Sequence, residues 1–213
     1  MAFLLRVELP DVPGSLGVLA TALGGAGADI EAIEIVEHRS DGKALDDVLL
    51  ELPPTTMPDA LITACHAIEG VRVHWISRYN QGANLSMDLE AVETFTGEPE
   101  RAIEHLVNVI PPTFRTDWAI ALRRTDGAAS IMFASPTAPE LVPDAEAWLA
   151  IRSTRVLDGV DAWDSTLLAG CPAKDRNGRT FVVVVGRHGG PAFLASELAR
   201  LGHMTTLAAS VQT

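Results

Sequence analysis

Two hydrophobic patterns follow one another at the start of the chain, one with strand spacing and one with helical spacing. A period-two pattern typical of a half-buried strand comes first, with Leu5, Val7 and Leu9 on one side and polar residues between them. The next apolar residues fall at helical spacing, namely Leu16, Leu19, Ala20, Leu23 and Ala26. Pro13 suits the first position of that helix. The pattern therefore predicts a strand followed at once by an amphipathic helix.

The same alternation continues and predicts four more elements. Strands are expected at residues 30–36, 47–52 and 71–75, and the Pro58-Asp59 pair opens a helix between the last two of them. The resulting order is β-α-β-β-α-β within about eighty residues, which is the split βαβ arrangement of ferredoxin-like folds.

The junction between the first strand and the first helix has the composition of a binding turn. Gly14 carries no side chain, so another molecule can approach its backbone closely. The first N–H groups of a helix lack intrahelical acceptors and lie at the positive end of the helix dipole, where a carboxylate or phosphate binds well. Taken by itself, the same turn is better explained as a well-formed helix start and nothing more.

The β-α-β-β-α-β order resembles the ACT domain, an amino-acid-sensing regulatory module, and so do Asp11, Pro13, Gly14 and Leu16, with Asp29-Ile30 at the entry to the second strand. The resemblance covers residues 1–79 and implies that an amino acid binds between two copies, held by the first loop of one copy and the second strand of the other. Carried over, the ligand-binding residues are Asp11, Val12, Pro13, Gly14, Ser15, Leu16, Asp29 and Ile30. Asp29 stands where the family often has Asn, and its charge suits an ammonium group and disfavours an acidic effector such as aspartate.

A polar segment at residues 79–84 predicts a domain junction, and the elements of a second domain follow it. Two helices come first, the second opened by Glu98-Pro99 and ended by Pro111-Pro112. The Asp126-Gly127 and Asn177-Gly178 pairs predict the turns of two hairpins, and a closing helix follows. Between the hairpins lies a segment, 136–165, with a possible strand near residues 154–157.

This plan resembles the GAF domain over residues 87–211. The resemblance rests on the strand Val182–Arg187, the following loop with Phe193, and the helical run 196–201. The Asn-Lys…Phe-Asp-Glu set associated with cyclic-nucleotide binding is not recognisable, so neither a cyclic nucleotide nor a tetrapyrrole is expected. The predicted fold class is therefore α+β, with a ferredoxin-like βαββαβ (ACT) domain at 1–79 and a GAF-like domain at 87–213 that has a central antiparallel sheet and flanking helices.

Charge and composition restrict the partners. The formal net charge is −12 and both halves are acidic, which disfavours binding to nucleic acid or to an anionic membrane. No leader and no apolar run of membrane-spanning length is recognisable. Two cysteines, one in each predicted domain, do not indicate a disulfide framework. These features favour a cytoplasmic protein.

The sequence contains no recognisable motif for catalysis or for metal binding. No nucleotide-binding loop, nucleophile elbow or metalloprotease motif is present, and the six histidines lack metal-ligand spacing. Cys171 is more consistent with a structural residue than with a reactive thiol. The segment Arg187-His188-Gly189-Gly190 is either an anion-binding loop or, as favoured here, a strand-to-helix connection that needs glycine. No catalytic residue, metal or cofactor is therefore predicted.

Three functions remain open. The favoured one is a non-catalytic sensor in which an ACT dimer binds a small amino acid, while the GAF-like domain relays the signal or binds a second ligand. The others are a dimerisation scaffold without a ligand, and an enzyme whose site lies between the domains. We expect a homodimer or higher oligomer through the edge strand, and output through a partner protein or an enzyme regulated in trans.

Overall fold

The computed structural model divides the chain into two compact units, unit 1 from Met1 to Ala83 and unit 2 from Asn84 to Thr213. The residues it describes are 1–78, 83–140, 142–161, 163 and 165–213. Most of the junction predicted at 79–84 lies outside these residues. No helix in the described part of the chain is long and apolar enough to cross a membrane.

Unit 1 contains six elements in the order predicted from the hydrophobic pattern. They are β1 (Ala2–Pro10), α1 (Ser15–Gly25), β2 (Asp29–His38), β3 (Lys43–Glu51), α2 (Asp59–His66) and β4 (Arg72–Arg78). The four strands form one antiparallel sheet in the order β2-β3-β1-β4. Strand β2 therefore lies at one edge, and β1 occupies the interior beside β3 and β4.

The two helices of unit 1 cover one face of this sheet. Leu5, Val7 and Leu9 of β1 point to that face, as their alternation predicts, and each is at most 1% exposed. They pack with residues of both helices and of β3 in one apolar core, which includes Leu19, Leu23, Val48, Leu50, Leu61 and Cys65. Burial of this face is the main force that fixes the strand register, because a one-residue slip would turn the apolar residues away from the helices.

Unit 2 is built around a five-stranded antiparallel sheet. Its helical elements are α3 (Ala83–Gly97), a 3-10 turn (Pro99–Arg101), α4 (Ala102–Phe114), α5 (Ala145–Trp148) and α6 (Ala195–Val211). Its strands are β5 (Trp118–Thr125), β6 (Ala128–Ala134), β7 (Arg155–Leu157), β8 (Thr166–Lys174) and β9 (Thr180–His188), ordered β6-β5-β9-β8-β7. The two predicted hairpins, β5–β6 and β8–β9, are confirmed by their pairing. Both units thus confirm an α+β protein built on antiparallel sheets.

Each face of the second sheet carries its own apolar core. Helices α3, α4 and α6 pack on one face, through residues that include Phe95, Leu106, Ile110 and Leu201. The segment between the hairpins packs on the other face, where Trp163 contacts Trp118 and Trp148 with ring centroids 5.5 and 5.8 Å apart. The second core fills the space beneath the connecting segment with aromatic side chains.

The prediction that Pro111-Pro112 ends the fourth helix is wrong, because α4 continues to Phe114 with both prolines inside it. The prolines remove two backbone donors from the last turn. The Thr113 hydroxyl donates 2.6 Å to the Val109 carbonyl, and the helix then ends at Arg115 with a left-handed φ of 52°. Burial of Thr113 and Phe114 against the core holds the turn in place.

Candidate functional site

The loop predicted to bind a ligand forms a tight turn before α1. The Ser15 N–H donates 3.2 Å to the Val12 carbonyl, which closes a four-residue turn with Pro13 and Gly14 at its centre. Gly14 has φ 97° and ψ −16°, the values of the third residue of a type II turn. Helix α1 therefore begins at Ser15 with Gly14 as its N-cap, so the prediction that Pro13 is the first helical residue is wrong. Proline at the second turn position and glycine at the third account for the difference.

The backbone of this loop is open to solvent at Gly14. A Cβ built on Gly14 would have no atom within 4 Å, and the neighbouring Val12 side chain is 59% exposed. No side chain caps the first turn of α1. The start of α1 thus presents bare backbone and the positive end of a helix dipole, which is the geometry that receives a carboxylate.

A close side-chain contact between Asp11 and His38 joins the loop to the end of the edge strand. One carboxylate oxygen of Asp11 lies 2.7 Å from Nδ1 of His38, the last residue of β2. The Asp11 N–H also donates 2.9 Å to the Gly42 carbonyl in the turn between β2 and β3. Both side chains are exposed, at 41% and 63%. The structure therefore places residues 11–16 together beside the final residue of β2.

Asp29 and Ile30 lie at the opposite end of the same sheet. Asp29 pairs with Glu51, which in turn faces Ala2 at the start of β1, whereas the loop follows Pro10 at the end of β1. The two ends of β1, Ala2 and Pro10, are eight residue steps apart, a distance of about 26 Å at 3.3 Å per residue. Within one chain, the predicted site is therefore split into two separate parts. Asp29 is exposed, and Ile30 packs partly against the core.

Asp46 is a buried carboxylate near the loop that sequence reasoning missed. It lies in β3 on the helix-covered face, opposite Val7 and Ile35, and is 1% exposed. Its Oδ1 atom has no hydrogen-bond partner among the described residues. Burial raises the pKa of the Asp46 carboxyl above its ordinary value, the charge of Asp11 adds to the rise, and His38 opposes it. A polar residue at a core-facing position of an otherwise apolar alternation was the available signal.

The other face of the sheet carries a compact charge cluster around Glu8. This carboxylate is 5% exposed and accepts hydrogen bonds from Lys43 Nζ at 2.7 Å and from Arg39. Nε2 of His74 lies 3.4 Å from it. The hydrogen bond from Lys43 lowers the pKa of Glu8, burial opposes the shift, and His74 and Arg39 add to the lowering. With Lys43 and Arg39 as cationic partners and His74 close by, Glu8 serves the stability of the sheet.

Beside that cluster, Arg6 forms a bidentate ion pair with Asp47 on the neighbouring strand, with N–O distances of 2.7 and 2.8 Å. Both residues are largely covered, Arg6 at 4% and Asp47 at 13% exposure. A fork-to-carboxylate contact of this kind fixes the pairing of β1 with β3 at this position.

In unit 2 the segment around Arg187 is a structural connection, as favoured from the sequence. Arg187 is buried and donates to the carbonyls of Phe114, Arg115 and Pro191. It also donates 2.7 Å to Glu197 and lies 4.2 Å from the ring centroid of Phe193. These contacts occupy the guanidinium group, so it does not form an anion-binding loop.

Neither cysteine has the environment of a reactive thiol. Cys171 lies inside β8 and is buried, and the Thr154 hydroxyl donates 3.2 Å to its Sγ. Burial raises the pKa of Cys171 and raises that of Cys65 to about 11. In the described part of the chain, no three His, Cys, Asp or Glu side chains are grouped so as to hold a metal ion.

No family model matches the chain. Over 74 residues, or 34% of its length, the chain is 34% identical to NAD-dependent malic enzyme 1 of Bacillus subtilis (strain 168), and the match spans 17% of that enzyme. Among solved structures, it is similar to the GAF domain of an Acinetobacter phosphoenolpyruvate-protein phosphotransferase, with a TM-score of 0.47, 13% identity, and coverage of 62% of this chain and 93% of that one. It is also similar to the GAF domain of a sensor histidine kinase of Pseudomonas syringae pv. tomato, with a TM-score of 0.43, 11% identity, and coverage of 62% and 86%.

Proposed function

We propose that this chain is a non-catalytic regulatory protein that binds a small amino acid between two copies of unit 1. The observation that supports this most is the position of the Asp11–Leu16 loop beside the end of a sheet edge. Among the described strands, β2 pairs with β3 alone. Its Ile33 and Ile35 side chains are 36% and 44% exposed, which is costly unless another surface covers them.

Antiparallel pairing of two β2 strands about a two-fold axis joins the separated parts of the site. In such a pair the start of one strand lies beside the end of the other, because the interface is isologous. Asp29 of one copy then lies beside His38 of the second copy, whose Asp11 holds that histidine. Two equivalent sites form, each with a loop from one chain and Asp29-Ile30 from the other.

The chemistry of the assembled site fits a zwitterion. The exposed backbone at Gly14 and the start of α1 receive the carboxylate of the amino acid. Asp29 accepts hydrogen bonds from its ammonium group, a charge-assisted contact. An acidic side chain on the ligand meets repulsion from Asp29, so a neutral or small amino acid is favoured over aspartate.

In this proposal unit 1 is an ACT-like domain and unit 2 a GAF-like domain. The strand order β2-β3-β1-β4 with both helices on one face supports the first assignment. The central antiparallel sheet with α4 and α6 on one face supports the second. Unit 2 then relays the state of the amino-acid site to a partner protein or to an enzyme regulated in trans.

The test combines ligand screening with one substitution and a matched control. Calorimetric titration and thermal unfolding of the full chain are measured with each of the common amino acids, for wild type, Asp29→Asn and Glu69→Gln. Glu69 is an exposed carboxylate outside the site. We expect one small amino acid to bind wild type and Glu69→Gln equally, and Asp29→Asn to bind it about ten- to a hundredfold more weakly.

Other outcomes have defined meanings. A stable dimer that no amino acid stabilises contradicts the sensor and favours a dimerisation scaffold. Equal binding to wild type and Asp29→Asn shows that a ligand binds elsewhere. Turnover of any bound compound contradicts the non-catalytic assignment and favours an enzyme.

A further inference from the structure

Unit 2 contains an arginine-lined cavity that plays no part in the proposed amino-acid site. Its volume is about 620 Å³, and it lies where the ends of β5 and β9 meet the segment that follows α5. Its polar lining consists of Arg123, Arg124, Thr125, Arg152, Arg179 and Thr180. Cavities between about 300 and 1,000 Å³ are typical of small-ligand sites.

The side chains that line this cavity are positively charged, whereas the chain as a whole is negatively charged. The whole chain has a formal net charge of −12 and 16 lysines and arginines, and four of those residues line this one cavity. A positively charged cluster in an acidic protein attracts anions locally, so the expected ligand of this cavity is an anion.

Two of the four arginines are held in place by carboxylates. Glu146 of α5 accepts a hydrogen bond from Arg124 and, through its other oxygen, one from the Ala129 N–H at 2.8 Å. Asp175 accepts 3.2 Å from Nε of Arg179 and also binds backbone N–H groups of its own turn. These contacts position the side chains before any ligand arrives, which lowers the entropy cost of binding.

The remaining two arginines carry charge that no carboxylate neutralises. In the part of the chain that the structure describes, neither Arg123 nor Arg152 forms an ion pair. After the pairs with Glu146 and Asp175 are counted, Arg152 leaves a net positive charge at the cavity, whereas Arg123 shares the sheet face of Phe181, under the helices. This net positive charge favours an anionic group on the ligand.

The neutral lining fits the remainder of such a ligand. Leu149 and Ala150 supply apolar surface, while Thr125 and Thr180 supply hydroxyl donors. Arg123 lies opposite Phe181 at the last pair of the β5–β9 ladder, so the sheet end fixes the spacing of the two strands here. We infer that this cavity binds a small organic phosphate ester, with the guanidinium groups on the phosphate and the organic part on the Leu149 side.

The test uses ribose 5-phosphate as the probe, with inorganic phosphate, ribose and citrate as separate arms. Calorimetric titrations of the full chain are run at low salt for wild type and for two double variants. R152A/R179A removes two arginines of the cavity, and R155A/R176A removes two exposed arginines outside it. Because all four are exposed, the variants are expected to keep the melting temperature of wild type, which a thermal scan checks.

We expect ribose 5-phosphate to bind wild type and R155A/R176A equally, and to bind R152A/R179A at least about tenfold more weakly. Ribose alone should not bind, and inorganic phosphate should bind more weakly than the ester because it lacks contact with Leu149. Absence of binding up to about 10 mM overturns the inference. So does equal weakening by both double variants, or citrate binding as tight as that of the ester.

Discussion

At the scale of single residues, two buried carboxylates on opposite faces of one sheet carry opposite pKa shifts. Glu8 accepts hydrogen bonds from Lys43 and Arg39 and has a lowered pKa, whereas Asp46 has a raised pKa caused mainly by burial. For Glu8 the stabilisation is present above the ordinary pKa of a glutamate and is lost as pH falls through the lowered value. For Asp46 it is present below the ordinary pKa of an aspartate and is lost as pH rises through the raised value.

Substitutions of Glu8 and of Asp46 should therefore change the free energy of unfolding with opposite dependence on pH. Glu8→Gln should lower the free energy of unfolding at pH 7 by about 1–3 kcal/mol, since it leaves charged donors without their carboxylate. This loss should shrink as pH falls below the ordinary range for glutamate. Asp46→Asn should compare most favourably with wild type at pH 7 and lose that advantage toward pH 4. Urea unfolding at several pH values measures both, and parallel pH profiles for the two variants would contradict the assigned shifts.

The turn at Gly14 makes a second prediction at this scale. With φ at 97°, any side chain there is strained by about 1–2 kcal/mol even though the space is open. Asn tolerates this conformation better than Val, so Gly14→Asn should keep more of the wild-type melting temperature than Gly14→Val. Both should weaken amino-acid binding, because each places atoms over the exposed backbone. Undiminished affinity in Gly14→Asn would show that the ligand does not meet this part of the loop.

At the scale of elements, the end of α4 depends on side chains distant in sequence. Arg187 of β9 and Arg200 of α6 donate to the carbonyls of Phe114 and Thr113. Arg200 also forms a bidentate pair with Asp88 and lies 4.4 Å from the ring centroid of Phe114. These donors act together with the local C-cap of α4, where Arg115 is left-handed and the Thr116 N–H donates 3.1 Å to the Pro111 carbonyl.

Arg187→Lys should lower the free energy of unfolding by about 1–3 kcal/mol, the usual effect of leaving buried hydrogen-bond partners unsatisfied. A lysine supplies three donors from one atom and cannot reach four acceptors in the planar arrangement of a guanidinium. Arg176→Lys, an exposed site in the β8–β9 turn, is the control and should change little. Equal unfolding midpoints in urea for the two variants would contradict this role of Arg187.

The same elements show what the sequence could and could not predict. The β1 alternation and the turns Asp126-Gly127 and Asn177-Gly178 are local signals, and the structure confirms the elements they predict. The extension of α4 through Pro111-Pro112 depends on arginines that are more than seventy residues away, so no local pattern reveals it.

The candidate site likewise has features that local sequence predicts and features that depend on the fold. A turn at residues 11–16 was predictable because its signal lies in consecutive residues, although Pro13 lies in the turn and not in the helix. That this turn binds a ligand stays a prediction. Asp46 was not predicted, because its burial depends on the packing of β1 and β2 on either side of it. The separation of Asp29 from the loop likewise follows from strand register, which the order of elements alone does not define.

The exposed edge strand β2 leads to a prediction about dimerisation. Ile35→Lys places a charge on the exposed edge and should dissociate the proposed dimer to monomers while unit 1 stays folded. Val156→Lys alters an exposed branched residue of β7, an edge strand of unit 2, and serves as the matched control. Sedimentation velocity measures both. Dissociation by Val156→Lys alone would place the interface in unit 2.

At the scale of the whole molecule, the proposed site couples ligand binding to assembly. A ligand held by two chains binds the dimer and not the monomer, so it raises the apparent dimerisation constant by mass action. By the same linkage, the affinity measured for the amino acid depends on protein concentration. Sensing in such a protein responds to the abundance of the chain as well as to that of the effector.

The distance between the loop and Asp29 within one chain also has a genetic consequence. A chain with Gly14→Asn and a chain with Asp29→Asn are each defective alone, since every site in either homodimer contains one altered half. In a mixed dimer one site combines the two intact halves and the other combines the two altered halves. Co-expression of the two variants should therefore restore about half of the binding sites in each mixed dimer, as in intragenic complementation. Calorimetry of the purified heterodimer would measure one functional site, whereas a site contained within a single chain would give none.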